Sequence, residues 1–334
     1  MPVRKTESRL PANFQAGDLG QAAVASDGRC ALVSFITSPL ALNHENTYVV
    51  FITDEALAAA ADSFEWSFSK NGHAPNLQTT QFGEISYLPQ ETGSLDVTIR
   101  ILDASSSEQA SLSLTQDVVI PNPKLESLIA RANNEPGPGV ANPDVARELV
   151  NNYSPYYQGV THQTPEPGDG HLRFVFRMVF DGALQRTPAQ RKQQIEELAR
   201  SLNNGGTDFV ALAAQGVGVS AVRLALLAMT FQKEPDNPTP ALNWTELPEP
   251  SSQRVLADEQ LREALAGLDE TVRIDIFNLA RFPKSNIVRC AHILEGLRDR
   301  YFSGANFEDV LTGLSGTQAE RISQHYRQGP LRID

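Results

Sequence analysis

Apolar and polar residues alternate without a break along Phe64-Glu-Trp-Ser-Phe68, so Phe64, Trp66 and Phe68 share one face of an extended strand. The same period of two runs through Leu95-Asp-Val-Thr-Ile-Arg-Ile101, turning Leu95, Val97, Ile99 and Ile101 inward, and through Glu84-Ile-Ser-Tyr-Leu88. Cys30-Ala-Leu-Val-Ser-Phe-Ile36 and Thr47-Tyr-Val-Val-Phe-Ile-Thr53 are short runs of β-branched and aromatic residues, a second strand signature. Leu112-Ser-Leu114 leads to Val118-Val-Ile120, and Pro121-Asn-Pro123 ends the pattern. Lys70-Asn-Gly-His73 supplies a turn. Six or seven short strands with turn signals between many of them predict a β-sandwich over residues 30–122.

Beyond residue 141 the period changes to 3.6. Asn142-Pro-Asp opens a helix through Val150, with Asn as cap and Pro at the first helical position. Thr187-Pro-Ala-Gln190 has the form of a capping box, followed by Ile195, Leu198, Ala199 and Leu202 on one face and the stop Asn203-Asn-Gly-Gly206. Leu261, Leu265 and Leu268 mark another stripe, as do Val272, Ile276 and Leu279. Ser285–Tyr301 carries Ile287, Cys290, Ala291, Leu294, Leu297 and Tyr301 on one face, and a last helix runs over 317–326. Leu172–Phe180 alternates, yet it runs into Gly182-Ala-Leu without a hairpin signal and is read as helix. The fold class expected is therefore a β-sandwich followed by an all-α domain at 142–334, joined by a linker at 123–141 whose Asn133-Asn-Glu-Pro-Gly-Pro-Gly139 run breaks any helix begun at Lys124. Residues 1–29, with isolated Leu10, Phe14 and Leu19, read as an extended N-terminal arm.

Charge narrows the classes. A net charge of −12 argues against a general affinity for nucleic acid or anionic lipid, both of which call for clustered Lys and Arg. The basic start is not followed by an apolar segment, so no secretory signal is expected, and no window is apolar enough to span a bilayer. The densest stretch, Phe209 to Phe231, is broken by Gly216, Gly218, Ser220 and Arg223. Cytoplasmic synthesis is the reading, with signal-independent export or association with a particle left open. Cys30 and Cys290, one in each half, read as two free thiols.

Phe64-Glu-Trp-Ser-Phe-Ser-Lys-Asn-Gly72 resembles the aromatic strand and Gly turn of a PKD-type immunoglobulin-like domain, and Glu84 to Asp103 resembles that family's later hairpin. Where the family carries Gly-Asp-Gly in the turn, this chain has Ser-Lys-Asn-Gly, so no role of that Asp carries over. The resemblance implies a binding or spacer module in the first half. The helical half resembles no family.

Candidate chemistry is sparse. Gln215-Gly-Val-Gly-Val-Ser-Ala221 matches the opening of a dinucleotide fingerprint, with Phe209-Val-Ala-Leu-Ala before it and Glu234 after, but a Gly-marked junction between packed helices explains the same residues better. His162, Asp169 and His171 share a loop that could gather a metal or an acid–base pair, although a solvated turn-rich loop is the plainer reading, and His44, His73, His292 and His325 stand apart. Glu196-Glu197 and Asp258-Glu259 have basic neighbours at helix spacing and read as solvated faces. Cys290, on an apolar stripe, reads as a buried structural thiol. No catalytic set, cofactor or metal is expected.

The Pro-rich stretch 233–252 holds Trp244, which either pins the loop to the helices or serves as an anchor for a partner. The pattern as a whole points to a non-catalytic binding or assembly component, with a protein partner or self-association and neither nucleic acid nor membrane insertion. Phe14, Leu19 and Trp244 are the candidate partner contacts, and a phage-like or contractile-injection particle is a fitting setting. The competing class is an effector or hydrolase-like enzyme whose helical domain holds a cleft framed by loops 154–171 and 233–252.

Overall fold

A computed structural model describes residues 9–12, 14–120, 122–134, 143–160, 170–203, 209, 216–224, 226–228, 265–302, 305–307, 310 and 316–328. The chain forms two compact units, one of Met1–Leu10 with Phe14–Pro155 and one of Pro11–Asn13 with Tyr156–Asp334. Strands dominate the first and helices the second.

The strands of the first unit are β1 (Gln21–Val24), β2 (Cys30–Ser34), β3 (Leu40–Ala41), β4 (Asn46–Ile52), β5 (Ser63–Lys70), β6 (Asn76–Thr80), β7 (Glu84–Tyr87), β8 (Gly93–Leu102) and β9 (Glu108–Val119). They form a four-stranded antiparallel sheet, β1-β2-β4-β7, and a five-stranded sheet, β3-β9-β8-β5-β6, in which only the β3–β9 pair is parallel. Register follows from the alternation: Trp66 lies opposite Ile99, which lies opposite Leu112, while Phe68 meets Val97 and Leu114 in the next row. These side chains join Leu32, Tyr48, Val50 and Ile85 of the other sheet in one apolar core. Each fully buried large apolar side chain contributes about 1.5–3 kcal/mol, so this core dominates the stability of the unit.

The two segments read as Leu112–Leu114 and Val118–Ile120 are parts of a single strand, β9. The apolar pattern lapses because Gln116, not a hydrophobe, occupies the inward position between Leu114 and Val118. Its amide is fully engaged: Nε2 donates to Gln21 Oε1 (2.9 Å), Ser34 Oγ (3.1 Å) and Ile36 O (2.9 Å), while Oε1 accepts from Tyr48 Oη (2.8 Å). Asn46 Nδ2 donates to Ser34 Oγ at 2.7 Å and extends the network. Within residues 1–29, expected as an extended arm, the same network holds a folded element. Gln21–Val24 is a paired strand whose place is set by Gln21, which accepts from the Ser38 N–H (2.8 Å) and donates to Thr115 O (3.2 Å). A polar side chain, invisible to a hydrophobic pattern, fixes this strand.

Four helices accompany the sheets: α1 (Ala16–Leu19), α2 (Glu55–Ala60), α3 (Pro123–Asn134) and α4 (Pro143–Val160). Arg147 ties α4 to α3 through both Glu126 oxygens (2.8 and 2.9 Å) and reaches Asp144 (2.7 Å). The expected linker is thus helical at its start, and α4 runs ten residues past Val150, through Pro155. Leu149 and Tyr153, before the proline, are buried in the first unit, and Tyr156 and Tyr157, after it, are buried and belong to the second.

The helical unit contains α5 (Gly170–Gln185), α6 (Pro188–Asn203), a hairpin of β10 (Gly216–Val217) and β11 (Val222–Arg223), and α7 (Glu270–Arg281), α8 (Pro283–Tyr301) and α9 (Gly316–Gln328). Leu172–Phe180 lies wholly in α5, as expected. The capping box at α6 is present, with Gln190 N–H donating to Thr187 Oγ1 (3.3 Å) and Thr187 N–H to Gln190 Oε1 (2.8 Å). α8 packs against α5, α7 and α9 and is buried on most of its circumference, from Ser285, Asn286 and Ile287 to Leu297. Pro283 starts it and forces Phe282 into an extended conformation, separating it from α7.

Candidate functional site

The densest polar cluster of the helical unit is buried where the β10–β11 hairpin meets α8 and α9. Asn286 Oδ1 accepts from the Ser220 N–H (2.9 Å) and Ser220 Oγ (2.7 Å), and its Nδ2 donates to Ala280 O (2.9 Å) and Val217 O (3.2 Å). Tyr326 Oη donates to Ser220 Oγ at 2.7 Å, and the buried Cys290 thiol is close enough to both for each to influence its titration. Gly218 makes this possible. Its φ of +72° needs glycine, and an added Cβ would lie 2.3 Å from Asn286 Nδ2 and 2.4 Å from Ala280 O. Ser220 spends its proton on an amide oxygen, which is no base, so the cluster lacks the logic of an activated nucleophile and serves to lock the hairpin to the helices.

Burial pushes the Cys290 thiol up to about 12 and the Tyr326 phenol well above its ordinary range. A group whose folded pKa lies above its unfolded one contributes stability that is complete below the unfolded value and is lost as pH rises through the folded value. The helical unit should hold its melting temperature from neutral pH to about pH 9 and lose up to ~1.4 kcal/mol per pH unit per group above it. Melts followed at 222 nm test this; a Cys290→Ala chain should show a shallower alkaline fall, and an equal fall counts against the assignment to Cys290.

The glycine motif is therefore a hairpin, not a helix junction and not a strand-to-helix turn. Gly216 O accepts from Gln194 Nε2 (2.9 Å) and from the Arg186 guanidinium, and the space beside Gly218 is filled by Asn286 and the Ala280 carbonyl. Phe209 is buried, while residues 210–215 and Glu234 lie outside the described residues.

Of the histidine cluster, His162 and Asp169 lie outside the described residues. His171 is buried in the first turn of α5, stacked on Phe307 with ring centroids 4.4 Å apart. Its Nε2–H donates to Ala291 O (3.2 Å) and its Nδ1 lies 3.9 Å from Glu295 Oε1. His44 and His73 sit in loops of the first unit, and His292 Nδ1 lies 3.4 Å from Arg289. Among the described residues no group of three or more His, Cys, Asp or Glu could hold a metal ion, and no helix is long and apolar enough to cross a membrane. Glu197 takes a hydrogen bond from Gln193 (3.0 Å), and Asp258-Glu259 lies outside the described residues. Cys30 and Cys290 are both buried and free.

Leu19 is fully buried, Phe14 is half-buried, and Trp244 lies outside the described residues with the rest of 233–252, as does 161–169 of the other expected loop. Pro11 and Ala12 fold with the helical unit, where the Ala12 N–H donates to Asp275 Oδ2 (3.2 Å).

The first unit's exposed apolar side chains gather at its margins. Val24 on β1 is 59% exposed, Leu77 on β6 is 60%, Ile120 just past β9 is 68% and Leu128 on α3 is 61%. β1 and β6 are the outer strands of their sheets. No spacing in the sequence announces these positions or the Asn286 cluster. The cluster gathers residues 220, 286 and 326 from three separate elements, and its one local sign is a polar Asn next to the apolar stripe of α8.

No protein-family model matches the chain, and the comparison with curated proteins finds no match.

Proposed function

We propose that this chain is a non-catalytic binding or assembly component, its sheet unit an immunoglobulin-like interaction and spacer module and its helical unit a scaffold. The observation that carries the reading is the placement of exposed apolar side chains. Six of the eight large ones among the described residues (Val24, Leu77, Leu88, Val119, Ile120 and Leu128) belong to the first unit, at strand edges, strand ends and α3. The strand order supports the immunoglobulin-like part: β2 and β4 lie side by side in one sheet, the chain enters the other sheet at β3, and β5, β8 and β9 are adjacent there. The aromatic strand β5 runs directly into the Asn71-Gly72 turn, where both residues have positive φ, which supports the PKD-type reading; the partner is a protein or a second copy of the chain. An intracellularly assembled particle of the phage or contractile-injection type suits such a component.

A photo-crosslinking residue placed at Ile120 or Leu128, in cells that make the protein natively, should yield a discrete higher-mass adduct. The same residue at Ser113, on the exposed polar face of β9, should not. No adduct at the two apolar positions, or equal yield at Ser113, overturns the reading.

A further inference from the structure

Among the described residues, β6 is the one of the first unit's four sheet edges left without protection. β3 is two residues long, β7 begins with a charge at Glu84, and Gln21 of β1 is tied by its side chain to β9 and the Ser38 amide. β6, Asn76-Leu-Gln-Thr-Thr80, pairs regularly with β5 over five residues, has no bulge, charge or proline within it, and its side chains from Asn76 to Thr79 are exposed. Natural edge strands are normally blunted by one of those devices, because an open row of N–H and C=O groups is a template for another strand. The last residue of β6 is also anchored, since Trp66 Nε1 donates to Thr80 Oγ1 (2.8 Å) and Thr80 Oγ1 to Phe82 O (2.5 Å).

We infer that β6 is a self-association edge, pairing antiparallel with β6 of a second copy about a twofold axis at Gln78 and joining two five-stranded sheets into one. This rests on the interaction reading above and names its partner. A second copy fits this edge: the chain carries −12 and repels itself in general, but twofold pairing matches the strand to itself and sets Gln78 against Gln78, Leu77 against Thr79 and Asn76 against Thr80, all neutral, so no like charges meet. The nearest outer-face charge, Glu65 opposite Thr79, is held by Arg100 at 2.7 Å, and its copy lies three strand spacings away, about 14 Å and beyond a Debye length. Five residues make about four to six main-chain hydrogen bonds, so the dimer is weak and concentration-dependent. The isologous arrangement closes on itself and does not propagate.

Sedimentation velocity on the full chain, from about 5 to 500 μM to bracket weak association, should show a monomer–dimer equilibrium. The Leu77→Lys/Thr79→Lys chain places lysines opposite one another, and its dissociation constant should rise at least about tenfold. Both side chains are solvent-exposed, so the fold is retained. A Gln78→Cys chain gives an independent readout. Opposed Cα atoms about 4.5–5.5 Å apart accept a disulfide, and the native thiols are buried, so mild oxidation should yield one covalent dimer. A chain that stays monomeric throughout, or a dimer indifferent to the lysines and not captured by the Gln78→Cys disulfide, overturns the edge pairing. In either case adducts at Ile120 or Leu128 still support the interaction reading, whereas loss of those adducts alone removes that reading.

Discussion

An Asn286→Ala chain is expected to lose about 4 kcal/mol of stability in its helical unit. Four hydrogen bonds go with the amide, leaving the Ser220 N–H and the carbonyls of Val217 and Ala280 buried without their partner. Each orphaned buried group costs roughly 1–3 kcal/mol, against a total stability of about 5–15 kcal/mol for an ordinary domain. Water cannot readily take the place of the amide, because α8 and the hairpin close over it, with Asn286 itself fully buried. Urea unfolding followed by helical signal should show the midpoint falling with little change in slope. A variant within roughly 1 kcal/mol of the parent would mean that the hairpin is held by apolar packing and that the amide is incidental.

The second large effect lies in the sheets. Trp66 is the largest fully buried side chain of the protein's described residues, and Trp66→Ala should cost about 3–5 kcal/mol, the loss of an indole plus the cavity it leaves. Trp66→Phe separates the two parts of its role. It keeps most of the apolar volume but loses the Nε1–H donor to Thr80 Oγ1, and should cost about 1–2 kcal/mol. Beyond stability, both variants should raise amide hydrogen exchange in Asn76–Thr80, since the indole anchors that strand from beneath. Protection in β6 unchanged by either substitution counts against Trp66 as its anchor.

What could be read in the sequence was whatever the hydrophobic period carried. Phe64, Trp66 and Phe68 announce β5, and Leu95 to Ile101 announce β8, because every inward position there is apolar. α6, α7 and α8 were legible for the same reason, and the Thr187–Gln190 box for its hydrogen-bonding logic. What escaped was held by side-chain amides. Gln21 and Gln116 organise β1 and the middle of β9, and Gln in a pattern search reads only as polar. The Gly216–Ala221 run shows the opposite error: small residues demanded by a tight hairpin and a close backbone approach imitate a phosphate-binding loop. The run is set apart by Asn286, which lies 66 residues from Ser220 in sequence.

The parallel contact of β3 with β9 bears on how the sheet unit carries load. Leu40 and Ala41 lie against Val118 and Val119, and the Leu42 N–H donates to Val119 O at 2.8 Å. Tension entering at Gln21 is met first by β1, paired antiparallel with β2, and only once those strands have parted does it reach β3 and pull it lengthwise past β9, the last strand. The bonds between them are then strained together in shear, whereas an antiparallel hairpin pulled from its open end gives way one rung at a time. The short β3–β9 contact is thus a second point of resistance, reached after the first strands have come away.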